Sequence, residues 1–483
     1  MNWIRLMCPE RLRQYSKSPG STDLRTEFEK DYHRIISSPS FRRLQDKTQV
    51  FPLDNSDFVR TRLTHSLEVS SFAKSLGQSV GTRIINEGLD DGFDKGTKED
   101  ICDVLQCAGL IHDIGNPAFG HFGESAIQDW FKKNLGKFSY EGKVLTDILS
   151  VQMQKDFFNF EGNTQALRVV TKLHFLVDEH GMNLTKALLA TIIKYPGSSM
   201  EIGYDVNDPG RNIKTKKMGY FLADKENFDN IQESCGLNGN RHPLTYLLEA
   251  ADDIAYNTAD IEDAVKKGML NYSILKEELN NRLPEIENKK DKEKVCCFSD
   301  IIGILDKYYN KALEKGYDNP DLYSVQNWIV RVQGILIASV TDAFISGYNE
   351  IMRGEYKSDI LSASKGECIV AALSDIAYRY VFVSKPILKL EVSASVIFDF
   401  LLDKYVDAFI YFDTPLWKAN KTALRDKITR LISDNYLRIY YKYSAGKNEA
   451  EKLYLRLLMV TDYVSGMTDS FAKRTYQELN GIL

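Results

Sequence analysis

Val104-Leu-Gln-Cys-Ala-Gly-Leu-Ile111-His112-Asp113-Ile-Gly-Asn-Pro117 carries an apolar run into a His-Asp doublet and then directly into a Gly/Pro break. Val104, Leu105, Ala108 and Ile111, with Ile101 before them, repeat at spacings of three and four, the mark of a helix with one buried face. The doublet closes that helix, so an imidazole and a carboxylate project together from one helix end toward a cleft. A neutral imidazole and a carboxylate are suitable ligands for a divalent metal.

The same spacing recurs on either side of this stretch. Leu67, Phe72, Leu76, Val80 and Ile84 predict one side of a helix over about 60–87, and Leu247, Ala251, Ile254, Thr258, Ile261 and Val265 predict another. Asn327 to Tyr348, Cys368 to Phe382, Val392 to Phe412, Ala423 to Tyr441 and Ala450 to Tyr463 read the same way. Strand signals are few. The best is Tyr204 to Phe221, rich in Gly, Asn, Asp and Lys, which reads as a hairpin or a loop. The expectation is an all-α, mainly helical chain with at most one small β-hairpin. A body over 1–280 is followed by a helical part over 281–483 packed on it, with no strong boundary between them. The mixed-charge run Glu285 to Lys294 reads as an exposed helix or linker.

Composition narrows the classes. The 483 residues are 43% hydrophobic and 27% charged, an ordinary globular balance that excludes wholesale disorder. A net charge of −5 means that any polyanion must be met by a local basic pocket rather than by the overall field. The seven cysteines are scattered without a CxxC pair, which excludes a disulfide scaffold and a zinc ribbon. The first residues lack the apolar region of a signal peptide, and no run of ~18 apolar residues predicts a membrane span, so the cytoplasm is the expected location. The chain has no P-loop, no GxGxxG after a strand, no GxSxG elbow and no HExxH.

Seven histidines occur, and three stand in structured surroundings. His65 lies in Arg60-Thr-Arg62-Leu-Thr-His65, at the start of the 60–87 helix; His112 precedes Asp113; His121 follows in Phe119-Gly-His121-Phe-Gly-Glu124. Further on, Glu249-Ala-Ala-Asp252-Asp253-Ile-Ala-Tyr256-Asn-Thr-Ala-Asp260 places Asp252, Tyr256 and Asp260 within an arc of about 80° on one helix, opposite the apolar stripe. A solvated face more often interleaves Lys or Arg at i, i+4. Acids flanking a Tyr without a Lys suit a metal and sugar face.

His65, His112-Asp113 and Asp252 together resemble the H…HD…D pattern of the HD-domain phosphohydrolases. Longer words narrow the resemblance to the bacterial deoxyguanosine triphosphate triphosphohydrolases: Phe41-Arg-Arg-Leu-Gln-Asp-Lys-Thr-Gln49, Arg62-Leu-Thr-His65-Ser-Leu-Glu, His112 to Glu124, Phe160-Glu-Gly-Asn163-Thr-Gln165, Lys194-Tyr-Pro196, Glu249 to Tyr256 and Asp462-Tyr-Val-Ser-Gly-Met-Thr-Asp469. They run in order from about residue 35 to 475. Ala118 departs from the pattern, where the family often has a second Pro.

The resemblance implies hydrolysis of a deoxynucleoside triphosphate, dGTP first among them, to the deoxynucleoside and inorganic tripolyphosphate. It implies one divalent ion per subunit held by His65, His112, Asp113 and Asp252. With no thiolate among those residues, Mn²⁺, Mg²⁺ or Fe²⁺ is expected. His121 and Glu124 would do acid–base work. Arg62, Lys194 and Lys217 would meet phosphate oxygens, Gln49 and Asp260 the sugar 3′-hydroxyl, and Tyr256 would pack under the deoxyribose where a 2′-hydroxyl clashes. The family also implies a ring-like homo-oligomer, often a hexamer, and a response to single-stranded DNA. Two alternatives stay open: an HD phosphohydrolase acting on a monophosphate or an alarmone, and a regulator responsive to single-stranded DNA.

Overall fold

The computed structural model describes residues 1–483 except 14–22, 51–59, 175–177, 206, 209, 289–290 and 483. It is 69% helical, and the described residues pair into one sheet, of two short strands. The helix Arg62–Glu87 crosses the helix Lys95–Ile111, and the helix Pro243–Lys266 packs across both. The crossing is close because glycines occupy it. A Cβ on Gly109 would stand 2.5 Å from the Ser70 Cα, and one on Gly77 would stand 2.8 Å from Leu105. A second apolar cluster forms where the helices His121–Asn134, Lys385–Phe409 and Glu449–Ser465 meet, around Trp130, Phe398, Leu401 and Leu457.

Local sequence explains the helix starts nearest the doublet. Thr61 caps Arg62–Glu87 in a capping box with Thr64, and Gly88 ends that helix in the left-handed region. Pro243 opens Pro243–Lys266 at a position where a missing N–H costs nothing.

Two expectations are corrected. Leu67 is 49% exposed, and the buried stripe of its helix is Val69, Ala73, Leu76, Val80 and Ile84. Nine residues separate Leu67 from Leu76, which at about 100° each puts them on opposite faces. The hairpin lies at Ser139–Tyr140 and Lys143–Val144 rather than in Tyr204 to Phe221. Glu141 and Gly142 both have positive φ, as a tight hairpin turn requires. The described part of Tyr204 to Phe221 (206 and 209 lie outside it) is instead tied to other segments. Ile213 N–H donates to Lys357 O at 2.9 Å and Gly219 N–H to Gly197 O at 2.8 Å, with Ile213, Met218 and Phe221 buried. Ala423 to Tyr441 is two helices, Ala423–Thr429 and Asp434–Ser444, the second capped by Ser433. Of the charged run Glu285 to Lys294, residues 289 and 290 lie outside the described part, and most of the rest is exposed on two helices.

Among the described residues one helix, Pro320–Ser346, is long and apolar enough to cross a membrane by length and composition, though Arg331, Gln333 and Asp342 interrupt its apolar run. It packs in the fold. Val325, Trp328, Val332, Leu336, Val340 and Phe344 are buried, and Trp328 Nε1 donates to Ile301 O at 2.7 Å.

Gly109→Ala drives a methyl group into the backbone at Ser70 and must push the two helices apart. It should lower stability by about 1–3 kcal/mol, read as a shift of the urea midpoint. An unchanged midpoint would show that the crossing is not tight.

Candidate functional site

His65 sits in the first turn of Arg62–Glu87 and His112 caps Lys95–Ile111, so the glycine crossing brings their rings to 5.3 Å between centroids. Both are buried. His112 Nδ1 lies 2.8 Å from Gly109 O. A carbonyl only accepts, so Nδ1 carries a proton and Nε2 is the nitrogen that could offer a lone pair to a metal. Nε2 is buried with no hydrogen-bond partner, as is His65 Nδ1. Buried nitrogens left bare are rare and ask for a missing partner.

Carboxylates supply the rest of the corner. Candidate ligand atoms of His65, His112 and Asp113 lie within 4.8 Å of one another. Asp252, from Pro243–Lys266, reaches the same corner, with Oδ1 3.2 Å from His65 Nε2 and 3.4 Å from His112 Nε2. Asp113 Oδ1 is 3.6 Å from His112 Nε2. Ligand atoms around an octahedral ion at about 2.1 Å stand about 3 Å apart along each edge, and the observed separations are of that size. Two imidazole nitrogens and two carboxylates suit a borderline or hard divalent ion. His65, His112 and Asp113 could therefore hold a metal, with Asp252 beside them.

Each carboxylate already has a cation. Arg62 donates to Asp113 Oδ2, and Lys194 Nζ lies 3.1 Å from Asp252 Oδ2. Burial alone would push both carboxyls up. Arg62 and His112 instead bring Asp113 down to about 2, and Lys194 and His112 hold Asp252 well below the usual range. Arg60, two residues before Arg62, ties Glu262 and Asp263 to the start of the His65 helix.

His121 begins the helix His121–Asn134, and its side chain is 79% exposed while that of its partner Glu124 is 7% exposed. Nδ1 lies 2.8 Å from Glu124 Oε2, and this bond raises the imidazole pKa above its ordinary value. Glu124 is buried, which would raise it, but His121, Lys217 and the Gly162 N–H hold it down. That N–H donates to Glu124 Oε1 at 2.6 Å. A Cβ on Gly162 would collide with Asn116 and Glu124, so only glycine fits there.

Gln49 Oε1 and both oxygens of Asp260 are buried without a hydrogen-bond partner. Burial, with Asp263 nearby, pushes the Asp260 carboxyl well above its usual range. Tyr256, one turn from each of Asp252 and Asp260, stacks on Phe382 with ring centroids 6.2 Å apart. Lys217 Nζ lies 3.0 Å from Glu161 Oε1 rather than standing free.

The segment from Arg62 to Tyr195 matches the family model described as HD domain. Curated relatives align along the whole chain. A deoxyguanosinetriphosphate triphosphohydrolase-like protein of Listeria monocytogenes is 45% identical, with all of both chains covered. One of the same description from Synechocystis is 32% identical, again over all of both. The deoxyguanosinetriphosphate triphosphohydrolase of Yersinia enterocolitica is 30% identical over 96% of this chain and 95% of its own.

This chain belongs to the deoxyguanosinetriphosphate triphosphohydrolase family of HD-domain proteins.

The HD match takes in Arg62, His65, the doublet, His121, Glu124 and Lys194, whereas Gln49, Lys217, Asp252, Tyr256 and Asp260 lie outside it. Supporting residues that sequence reasoning missed are equally specific in place. Asn116 Nδ2 donates to Asp113 Oδ1 at 2.6 Å, and Lys47, whose ammonium burial pulls down to about 7, donates to Asn116 O. Both stand in quoted family words, Asn116 three residues after Asp113, and that was the one available signal.

A divalent ion bound here stabilises the folded state by mass action, about 2.7 kcal/mol at a hundredfold excess over Kd. Mn²⁺ should raise the melting temperature of the chain, and His112→Ala should abolish the rise. A rise that persists in that variant would place the ion elsewhere.

Proposed function

We propose that this chain hydrolyses a deoxynucleoside triphosphate, dGTP first among the candidates, to the deoxynucleoside and inorganic tripolyphosphate. The observation that carries the reading is the corner where Asp252 Oδ1 lies 3.2 and 3.4 Å from the Nε2 atoms of His65 and His112, set beside an Arg and a Lys, in a chain aligned end to end with relatives named for that activity. On this reading His65, His112, Asp113 and Asp252 would hold one divalent ion (Mn²⁺, Mg²⁺ or Fe²⁺), which would supply Lewis-acid activation of the phosphate and of water.

The chain's own residues do the rest. Water adds to the α-phosphorus and the bond to the sugar 5′-oxygen breaks, so tripolyphosphate keeps all three phosphorus atoms. The departing alkoxide needs a proton. His121, whose bond to Glu124 favours the imidazolium form, is the acid that delivers it, and the proton lost by the attacking water restores it through solvent. Arg62 meets an oxygen with its planar fork, while Lys194 and Lys217 neutralise charge. Each has a carboxylate partner in the structure, so the phosphates join existing ion pairs. Gln49 and Asp260, whose side-chain oxygens lack hydrogen-bond partners among the described residues, meet the 3′-hydroxyl, one of them accepting its single proton. Tyr256, held against Phe382, walls off the 2′-position.

The decisive experiment incubates the chain with each dNTP and Mn²⁺ and separates the products. Deoxynucleoside with tripolyphosphate supports the proposal. Orthophosphate or pyrophosphate would refute it, as would turnover confined to a monophosphate. His121→Ala should cost roughly 10²- to 10⁴-fold in kcat and leave Mn²⁺ binding intact.

The raised His121 pKa fixes the sign of the pH profile. An acid works protonated, so kcat/KM should fall as pH rises through a value above the ordinary 6.5. Glu124→Gln removes the charge that holds the proton, so the same limb should move to lower pH. A limb that stays put would show that another group titrates. Tyr256→Ala should relax the exclusion of GTP relative to dGTP, and an unchanged ratio would refute the steric account.

A further inference from the structure

The word Asp462 to Asp469 has no part in the chemistry above, yet it ends at the centre of the site's scaffold. Asp469 opens the helix Asp469–Leu479 and is 1% exposed. Its two carboxylate oxygens serve different loops. Oδ1 accepts the Phe119 N–H at 2.9 Å. Oδ2 accepts the Thr48 N–H at 3.0 Å and the Thr48 hydroxyl at 2.6 Å.

Both loops lead to residues of the proposed reaction. Phe119-Gly120 is the turn that delivers His121, and Thr48 precedes Gln49. The turn needs holding. Phe119 sits at φ +60, a region a bulky residue keeps only when its surroundings enforce it. Gly120, at the N-cap, makes no side-chain cap bond. Thr48 is in turn bridged to Thr61, the cap of the helix that carries Arg62 and His65. Alongside, Ser470 Oγ donates to Asp46 Oδ1 at 2.8 Å and Lys47 Nζ to Ser465 O at 3.3 Å, so the end of Glu449–Ser465 and the start of Asp469–Leu479 are both joined to residues 46–48.

We propose that Asp469 is a positioning residue: a single buried carboxylate that sets the distance between the acid, His121, and the sugar contact, Gln49, and so fixes where the 5′-oxygen lies relative to its proton donor. The proposal rests on the roles given to His121 and Gln49 above. It separates Asp469 from the metal corner, with which it shares no hydrogen bond.

The test uses the full-length chain. Asp469→Asn keeps the shape but replaces one acceptor oxygen with a donor, which faces either the Phe119 N–H or the Thr48 pair. Three readouts are taken: kcat and KM on dGTP with Mn²⁺, the Mn²⁺ dissociation constant by calorimetry, and hydrogen exchange at the Phe119 amide. A displaced reacting group typically costs about 10²-fold, so kcat should fall by about ten- to a hundredfold, Mn²⁺ affinity should hold, and Phe119 should exchange faster. Thr48→Val removes the hydroxyl leg alone and should give a smaller fall in kcat, from which Thr48→Ser recovers; it also serves if Asp469→Asn does not fold. Unchanged kcat with faster exchange would overturn the proposal, as would unchanged exchange or a parallel loss of Mn²⁺ affinity. If the wild-type chain turned over no dNTP, the functional reading would fail, while exchange at Phe119 would still report whether the clamp exists.

Discussion

At Gly109 the Lys95–Ile111 helix lies against Ser70 with no room for a side chain, and this contact sets the separation of His65 and His112. The same glycine acts twice. Its missing Cβ lets the helices close, and its carbonyl accepts a hydrogen bond from His112 Nδ1–H, which turns Nε2 toward the carboxylates. Two imidazoles brought together away from water cannot both ionise cheaply. Against burial, Asp113 and Asp252 nevertheless raise the His112 pKa above its ordinary value, so an ion bound here would take that imidazole in exchange for a proton, between carboxylate oxygens 3.6 and 3.4 Å from Nε2.

The charge pattern follows from that constraint. Asp113 and Asp252 carry the negative charge and Arg62 and Lys194 the positive, so the quartet is formally neutral. A buried charge is tolerable when paired, and here every charge of the quartet is. A chain with net charge −5 thus carries a local pair of cations at the corner to which the proposed triphosphate is assigned. Arg62 is fixed further by Gly120, since a Cβ there would strike its guanidinium. The turn before His121 and Arg62 therefore constrain each other, which ties the His121–Glu124 pair to the corner of His65, His112 and Asp113.

What the sequence made legible was what is local. A helix stripe, a doublet at a helix end and an arc of Asp252, Tyr256 and Asp260 are set by neighbours a few residues away, and the all-α class followed from them. Leu67 misled because a Leu near the right spacing was read without its angle: Ser66, Ser70 and Gly77 fill the buried face there instead, small residues that permit the close crossing. Tyr204 to Phe221 carried turn residues, but its backbone partners are Gly197 and Lys357, and nothing in a Gly/Asn/Asp-rich stretch reveals that it pairs elsewhere. Gly162 was visible as part of a family word, yet its use, an N–H donated to Glu124 with no room for a methyl, depends on a contact 38 residues away.

The order of the chain then bears on how the site is assembled. The HD segment 62–195 contributes both imidazoles, the doublet carboxylate and the His121–Glu124 pair. Alone it lacks the Asp252 carboxylate that touches both imidazoles, and it leaves Lys194 without its partner. A lysine so buried is costly unpaired, so the segment would carry an uncompensated cation beside two bare nitrogens. The helix Pro243–Lys266 removes that penalty and brings Tyr256 and Asp260 on the same face. The last helices add no ligand, but they close the loops at residues 46–48 and 116–119 through Ser465 and Asp469. Contacts spanning 350 and 421 residues fix positions that must agree to a fraction of an ångström. The site as a whole, the His121 turn and Gln49 included, is therefore a property of the full-length fold, and the HD segment by itself supplies side chains whose mutual placement the rest of the chain completes.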